Sequence, residues 1–175
     1  MTFDEFVGTR LGALLRYAMV LTCDPYLAEE VVQEVLVRAQ SRWSRIVGVD
    51  QPEAYVRRMV LNEFLSWRRR MLRRALPVRT ETLEGAAGAV DDPAAGVAER
   101  DAMVALIATL PRRQRAVVVL RYYEGHSDTE IAELLGCRVG TVRSHASRAL
   151  GTLRGAVRAA SSSNEHPALT HGDPS

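Results

Sequence analysis

Apolar residues recur along much of this chain at intervals of three and four. Phe3, Phe6, Val7, Leu11, Leu14, Leu15, Ala18 and Leu21 predict a helix over Phe3–Leu21, with Gly8 and Gly12 as weak points. Asp24 and Pro25 supply an N-cap and a first-turn proline, so a second helix starts there and runs to about Trp43. Leu27, Val31, Val35 and Leu36 form its core side; Glu29, Glu30, Gln33, Glu34 and Arg38 form the other. Pro52 restarts a helix reaching Arg74, for which Tyr55, Met59, Val60, Leu65 and Phe64 suit a core face. The connection before it, residues 44–51, is apolar for an exposed loop. Ile46, Val47 and Val49 there either tuck into the core or form a loop that grips something.

The pattern then stops. Pro77 to Gly96 contains three Gly, two Pro and four acids (Glu81, Glu84, Asp91, Asp92), with no periodic stripe, and reads as extended or disordered. Helical spacing resumes at Val97–Thr109, and Pro111 opens a helix that Gly125 stops. After Ala160 a tail rich in Ser, Pro and Gly reads as disordered; His166 and His171 in it are poorly spaced for a metal.

Ser127 to Leu153 is the sharpest local signal. Ser127 and Glu130 make a capping box, Ile131, Leu134 and Leu135 an apolar stripe, and Gly136 a left-handed helix end. A second helix starts near Val139 or Gly140. Small Ala132, turn Gly136 and aliphatic Val142 stand where a helix-turn-helix needs them. Val142, Ala146, Ala149, Leu150 and Leu153 face inward; Gly140, Thr141, Arg143, Ser144, Ser147 and Arg148 face out. Small polar residues with arginines suit a major groove, where arginine reads guanine edges. The plainer alternative is a two-helix turn with a solvated face. For such a face, Glu and Lys would be better helix formers.

Charge sharpens this picture. The net charge is only +2, but residues 1–75 carry 12 Arg against 9 acids, residues 76–100 carry 2 against 5, and residues 101–160 carry 9 against 5. Two basic blocks around an acidic segment suit two contacts with a polyanion. Arg68, Arg69, Arg70, Arg73 and Arg74 follow Trp67, and with Arg57 and Arg58 they suit phosphate contact and base stacking. A solvated basic helix end is the alternative. Cys23 and Cys137 have no CxxC spacing, which argues against a disulfide framework or a zinc site and fits a reducing cytoplasm. No signal peptide is read at the N-terminus, and the longest apolar run, Ala116 to Leu120, is too short to span a membrane. Nothing forms a catalytic constellation or a Gly-rich phosphate loop. We therefore expect neither enzyme activity nor a cofactor.

Two segments together resemble one family. L-P-R-R-Q-R-A-V-V-V-L-R-Y-Y-E-G-H-S-D-T-E-I-A-E-L-L-G-C-R-V-G-T-V-R-S-H-A-S-R-A-L is similar to region four of bacterial RNA polymerase sigma factors of the sigma-70 type, extracytoplasmic-function (ECF) group. A-E-E-V-V-Q-E-V-L-V-R-A and P-E-A-Y-V-R-R-M-V-L-N-E-F-L-S-W-R-R-R resemble region two. Within the group, the chain resembles the actinobacterial SigE-like subfamily. The second half alone also resembles a stand-alone LuxR-type regulator, but the N-terminal segment is too short for a receiver or ligand domain.

The resemblance implies an all-α fold of two small helical domains joined by a flexible linker. Residues 1–75 would form the first domain, 76–96 an acidic linker, 97–160 the helix-turn-helix domain and 161–175 a tail. It implies core RNA polymerase (clamp helices and flap) and promoter DNA as partners, an anti-sigma factor as a further candidate, and a cytoplasmic, nucleoid-associated location without membrane insertion. Glu30, Gln33, Glu34 and Val37 would dock on the polymerase. Ile46, Val47, Val49 and Asp50 would capture a flipped base of the minus-ten element, with Arg57, Arg58, Asn62, Trp67, Arg68 and Arg69 following the strand and upstream duplex. Arg138, Thr141, Arg143, Ser144, Ser147 and Arg148 would contact the minus-thirty-five element. Arg138 and Ser147 depart from the family's usual residues. The linker either threads toward the RNA path or serves as a passive tether.

Overall fold

Side chains that close free backbone amides set the helix starts. Thr2 Oγ1 accepts from the Glu5 amide at 3.2 Å, and the Glu5 carboxylate accepts from the Thr2 amide at 2.8 Å. Asp24 Oδ1 accepts from the amides of Tyr26 (2.9 Å) and Leu27 (3.2 Å), with Pro25 in the first turn. The resulting elements are α1 (Phe3–Thr22), α2 (Pro25–Gln40), α3 (Trp43–Ile46), α4 (Pro52–Arg74), α5 (Gly96–Ala108), α6 (Arg112–Val118), α7 (Asp128–Leu135) and α8 (Val139–Asn164). A π-helical turn over Val119–Tyr123 extends α6. The structure, a computed structural model, describes residues 1–74 and 96–164, and for 67–74, 96–100 and 160–164 the backbone alone. All regular structure among them is helical. Most of the expected linker and tail, His166 and His171 included, lies outside the described residues.

In the N-terminal half, α1, α2 and α4 enclose Phe6, Leu14, Leu21, Val31, Val35, Val60 and Phe64. Three sequence expectations shift. Helix α2 ends at Gln40 rather than near Trp43, because Trp43 turns back over α1. Its ring meets Phe3 edge-on at 5.5 Å and tilts over Phe6 at 4.8 Å. The buried face of α4 is Val56, Val60, Leu61 and Phe64, whereas Tyr55 is exposed. Val60 and Phe64 are buried as expected and Met59 and Leu65 pack against the core; the same side of α4 also buries a charge, for Glu63, 1% exposed, accepts from Arg38 Nη2 of α2. Ile46 is 2% exposed and belongs to the core, while Val47 and Val49 stay partly outside.

In the C-terminal half, α6, α7 and α8 pack around Val117, Leu120, Ile131, Val142 and Ala146. The π turn is marked by the Glu124 amide donating to Val119 O at 3.1 Å. Gly125 then reverses the chain at φ 76°. Helix α8 continues to Asn164, four residues past the expected start of the tail.

The halves are docked on each other. Arg115 of α6, 9% exposed, donates through Nη1 to Leu21 O (3.2 Å) and Thr22 O (2.7 Å) at the end of α1. Its Nη2 donates to Ala108 O (2.6 Å), the last residue of α5, and to Leu110 O (3.2 Å) just beyond it. Arg112 donates to Phe64 O at 2.6 Å and lies over the Phe64 ring. Arg57 of α4 pairs with Glu124. Beside this seam lies a cleft of about 550 Å³, lined by Tyr17, Arg57, Arg58, Glu124, His126 and Leu134 among others.

Arg115 has no carboxylate partner among the bonds above: four carbonyls take its Nη donors, the Phe64 ring centre lies 6.0 Å from its guanidinium, and its Nε is left without a hydrogen bond. Arg115→Ala strips those carbonyls of their donor and should lower unfolding stability by about 2–4 kcal/mol in urea titrations. Arg115→Lys should restore only part, because an ammonium lacks the planar fork. An alanine variant within about 0.5 kcal/mol of the parent would remove Arg115 as the tie between the halves.

Candidate nucleic-acid interface

The helix-turn-helix is closed by the interactions its sequence offers. Ser127 Oγ accepts from the Glu130 amide at 3.3 Å, and Glu130 Oε2 accepts from the Ser127 amide at 2.8 Å. The Ser127 hydroxyl, donating to Glu130 Oε2 at 2.7 Å, and then the Ser127 amide hold the Glu130 carboxyl below its ordinary value. Gly136 ends α7 at φ 60°, and the Cys137 amide closes back on Ala132 O at 2.9 Å. Ala132 is 6% exposed and Val142 fully buried, so the two helices cross where a small residue permits it.

This leaves one face of α8 outward. Arg138 in the turn and Thr141, Arg143, Ser147 and Arg148 on α8 are exposed, and Ser144 is half-buried. A hydroxyl-and-guanidinium surface on a helix that protrudes in this way can enter a major groove. Arg143 is not loose: its Nε donates to Asp128 Oδ2 of α7 at 3.3 Å. Asp128 also pairs with Arg121 of the π turn. The expected interface did not include Asp128. The i to i+15 spacing of the Asp128–Arg143 pair carries no sequence signal.

On α2, Glu30, Gln33 and Val37 are exposed and Glu34 half-buried, forming one stripe opposite Val31, Val32 and Val35. Val37 is 67% exposed in this acidic and amide surrounding. Arg38 at its edge donates to Glu34 O at 3.2 Å as well as to Glu63. The stripe thus borders the ion pair that ties α2 to α4.

The remaining expected contacts do not share one surface. Val47, Val49 and Asp50 are exposed at the α3–α4 connection, and Ile46 supports it from the core. Ile46 therefore cannot line a base pocket in this arrangement. Arg58 and Asn62 are exposed on α4. Arg57 is turned to the seam, bound to Glu124 and to Glu53 at 3.3 Å, with its guanidinium 5.5 Å from the Tyr17 ring centre. Burial and the Glu124 carboxylate push the Tyr17 phenol up. Trp67, Arg68 and Arg69 stand on the C-terminal stretch of α4, whose side chains lie outside the described residues.

Comparison with known proteins gives two family matches. Sigma-70 region 2 matches residues 6–74 and Sigma-70 region 4 matches residues 100–153. An RNA polymerase sigma-E factor of Streptomyces avermitilis is 40% identical, covering 88% of this chain and 84% of its own. The ECF RNA polymerase sigma factor SigL of Mycobacterium tuberculosis is 32% identical, with 87% and 84% covered. The co-crystal structure of the sigma factor RpoE with the anti-sigma factor NepR from Bartonella quintana has a TM-score of 0.62 at 24% identity. It covers 89% of this chain and 96% of that one, and shows the same fold.

His145 sits among this helix's cations. Burial first, then Arg113 and Arg148, lower its imidazole below the ordinary 6.5. The unfolded chain then binds the proton more readily, so the stability His145 contributes is complete above about pH 6.5 and is lost as pH falls below it. His145→Gln should flatten that part of the melting-temperature profile between pH 7 and pH 5, leaving the carboxylate-driven loss at lower pH. Parallel profiles for parent and variant would exclude His145 as the titrating group.

Proposed function

Because the chain belongs to the sigma-70 family through its region 2 and region 4 domains, we propose that its two halves divide promoter recognition between them. It is an alternative sigma factor of the ECF group, directing promoter-specific initiation by core RNA polymerase. The stand-alone LuxR-type reading is not favoured, since region 2 occupies residues 6–74 in front of the helix-turn-helix. That pairing of regions in one chain carries the assignment.

In this reading residues 97–160 engage the minus-thirty-five element through Arg138, Thr141, Arg143, Ser144, Ser147 and Arg148. Their exposure on one side of the turn and of α8 supports it. Residues 1–75 dock on the polymerase through Glu30, Gln33, Glu34 and Val37 and engage the minus-ten element through Val47, Val49, Asp50, Arg58, Asn62, Trp67, Arg68 and Arg69. Ile46 shapes that loop from beneath, and Arg57 joins only once it leaves Glu124. The polymerase supplies the phosphodiester chemistry, and the chain works in the cytoplasm. No described helix is long and apolar enough to cross a membrane. An anti-sigma factor is a candidate further partner, by analogy with the Bartonella complex.

The docked halves and the promoter set a geometric condition. By their positions the two elements lie about 25 base pairs apart, or about 85 Å along B-form DNA. Halves joined by Arg115, Arg112 and Arg57 cannot reach both at once. The chain between α4 and α5, residues 75–95, extends at most about 75 Å, which is long enough to let them part. Initiation therefore requires the seam to open.

Two measurements test this reading. Arg143→Ala should weaken upstream-element recognition by about 5- to 150-fold with core binding intact, whereas Glu34→Lys should weaken core binding. Equal loss of both activities in both variants would count against the division of labour. With dyes at Thr9→Cys and Thr152→Cys, in a chain freed of Cys23 and Cys137, energy transfer should be high in the free protein and fall with core polymerase and promoter. Unchanged transfer in the open complex would exclude an opening seam.

A further inference from the structure

We propose that Asp128 is a positioning residue for promoter recognition, fixing Arg143 so that its terminal nitrogens meet a base edge. The inference rests on α8 being the recognition helix. Asp128 is the first residue of α7, where the helix dipole favours a carboxylate. Its Oδ1 accepts from Arg121 Nη2 and its Oδ2 from Arg143 Nε at 3.3 Å. The Asp128 and Arg121 side chains are about a quarter exposed, while Arg143 is 72% exposed. A half-covered pair thus anchors the base of a projecting arginine.

Which nitrogen is anchored matters. Guanine is read end-on, by two donors to O6 and N7. A carboxylate on Nε leaves both Nη atoms for that purpose and fixes the plane of the guanidinium. It also removes much of the rotamer freedom that a free arginine would lose on binding. An isolated carboxylate at this place would repel phosphates. Arg121 offsets it, so the three residues together keep one positive charge. They border a shallow depression with Ala146, Ser147 and Arg154, so the anchored guanidinium and the Ser147 hydroxyl share one rim. An ion pair this exposed adds little stability.

The alternatives differ in what they predict. Asp128 could itself accept from cytosine N4, or act only on α7. The test is selection of a duplex library, randomised over the upstream element, by holoenzyme reconstituted with core RNA polymerase from Streptomyces coelicolor. The chains compared are the parent, Arg143→Ala, Asp128→Ala, Asp128→Asn and the double variant Asp128→Ala/Arg143→Ala.

Arg143→Ala should abolish preference at one base pair. Asp128→Ala should reduce discrimination at that same pair by about fivefold or more, and the double variant should be no worse than Arg143→Ala. Asp128→Asn, which keeps the size and a helix-start side chain, should show the same pattern more weakly. Discrimination lost at a different pair would make Asp128 a direct reader and overturn positioning. A uniform change in affinity with preferences intact would make its role structural or electrostatic, and would overturn it as well. If Arg143→Ala itself leaves all preferences unchanged, the recognition-helix reading fails first and the proposal falls with it.

Discussion

The Arg115 guanidinium joins the two halves at a point where burial of a charge is costly. It is 9% exposed; its Nη atoms donate to the carbonyls of Leu21, Thr22, Ala108 and Leu110, while its Nε has no hydrogen-bond partner. Leu21 and Thr22 finish α1, Ala108 ends α5 and Leu110 follows it, where helix dipoles leave negative partial charge. One cation therefore closes two helix ends that have few donors of their own. Arg112 on Phe64 and Arg57 with Glu124 are arranged around this contact. Loss of the Arg115 bonds to α1 would expose the apolar contact between α1, α4 and α6 that they cover.

Local chemistry made much of the chain legible. The Asp24-Pro25 start, the Ser127–Glu130 box and the left-handed Gly136 act within four residues, and all three appear as read. Of the α8 residues read as inward, Val142, Ala146 and Ala149 are buried and Leu150 and Leu153 half-buried, because a long helix has one dominant periodicity. The errors lie where a distant partner decides. Trp43 leaves α2 for Phe3 and Phe6, and Tyr55 of α4 is exposed while Glu63 is buried under Arg38. The π turn rests on the i to i+5 bond from Glu124 to Val119, which apolar spacing does not announce. Of the proposed site, the α8 face was readable because it is one helix side. The Asp128 anchor was not, because it joins three elements.

Arginine supplies every basic side chain of this protein, and the structure uses it in three different ways. Arg115 and Arg112 donate to backbone carbonyls and close the seam. Arg38 and Arg57 neutralise carboxylates inside or at the edge of the core. Arg58, Arg138 and Arg148 remain exposed, where the proposed function puts DNA. A count of basic residues therefore overstates the charge available to DNA. It also explains why the uneven charge along the sequence pointed to the right class of partner without identifying the contact residues. What separates the groups is whether a carbonyl or carboxylate from another helix lies within reach of the guanidinium fork.

Arg57 stands in the second group here and joins the third in the proposed open form, and that couples them. Bound to Glu124 it stabilises the docked halves; released, it can follow a nucleic-acid strand in the proposed open form. It cannot do both, so DNA engagement and docking compete for the same side chain. Such competition is a coupling free energy, and it acts in both directions. Whatever opens the seam raises the availability of Arg57, and whatever binds Arg57 disfavours closure. Shifting a chain from about 1% to about 99% open takes about 5.5 kcal/mol of differential binding. In the proposed holoenzyme that energy comes from the polymerase interface rather than from one or two phosphate contacts. On the proposed function the polymerase therefore opens the chain first, and only then does the N-terminal half present its full basic surface to the promoter.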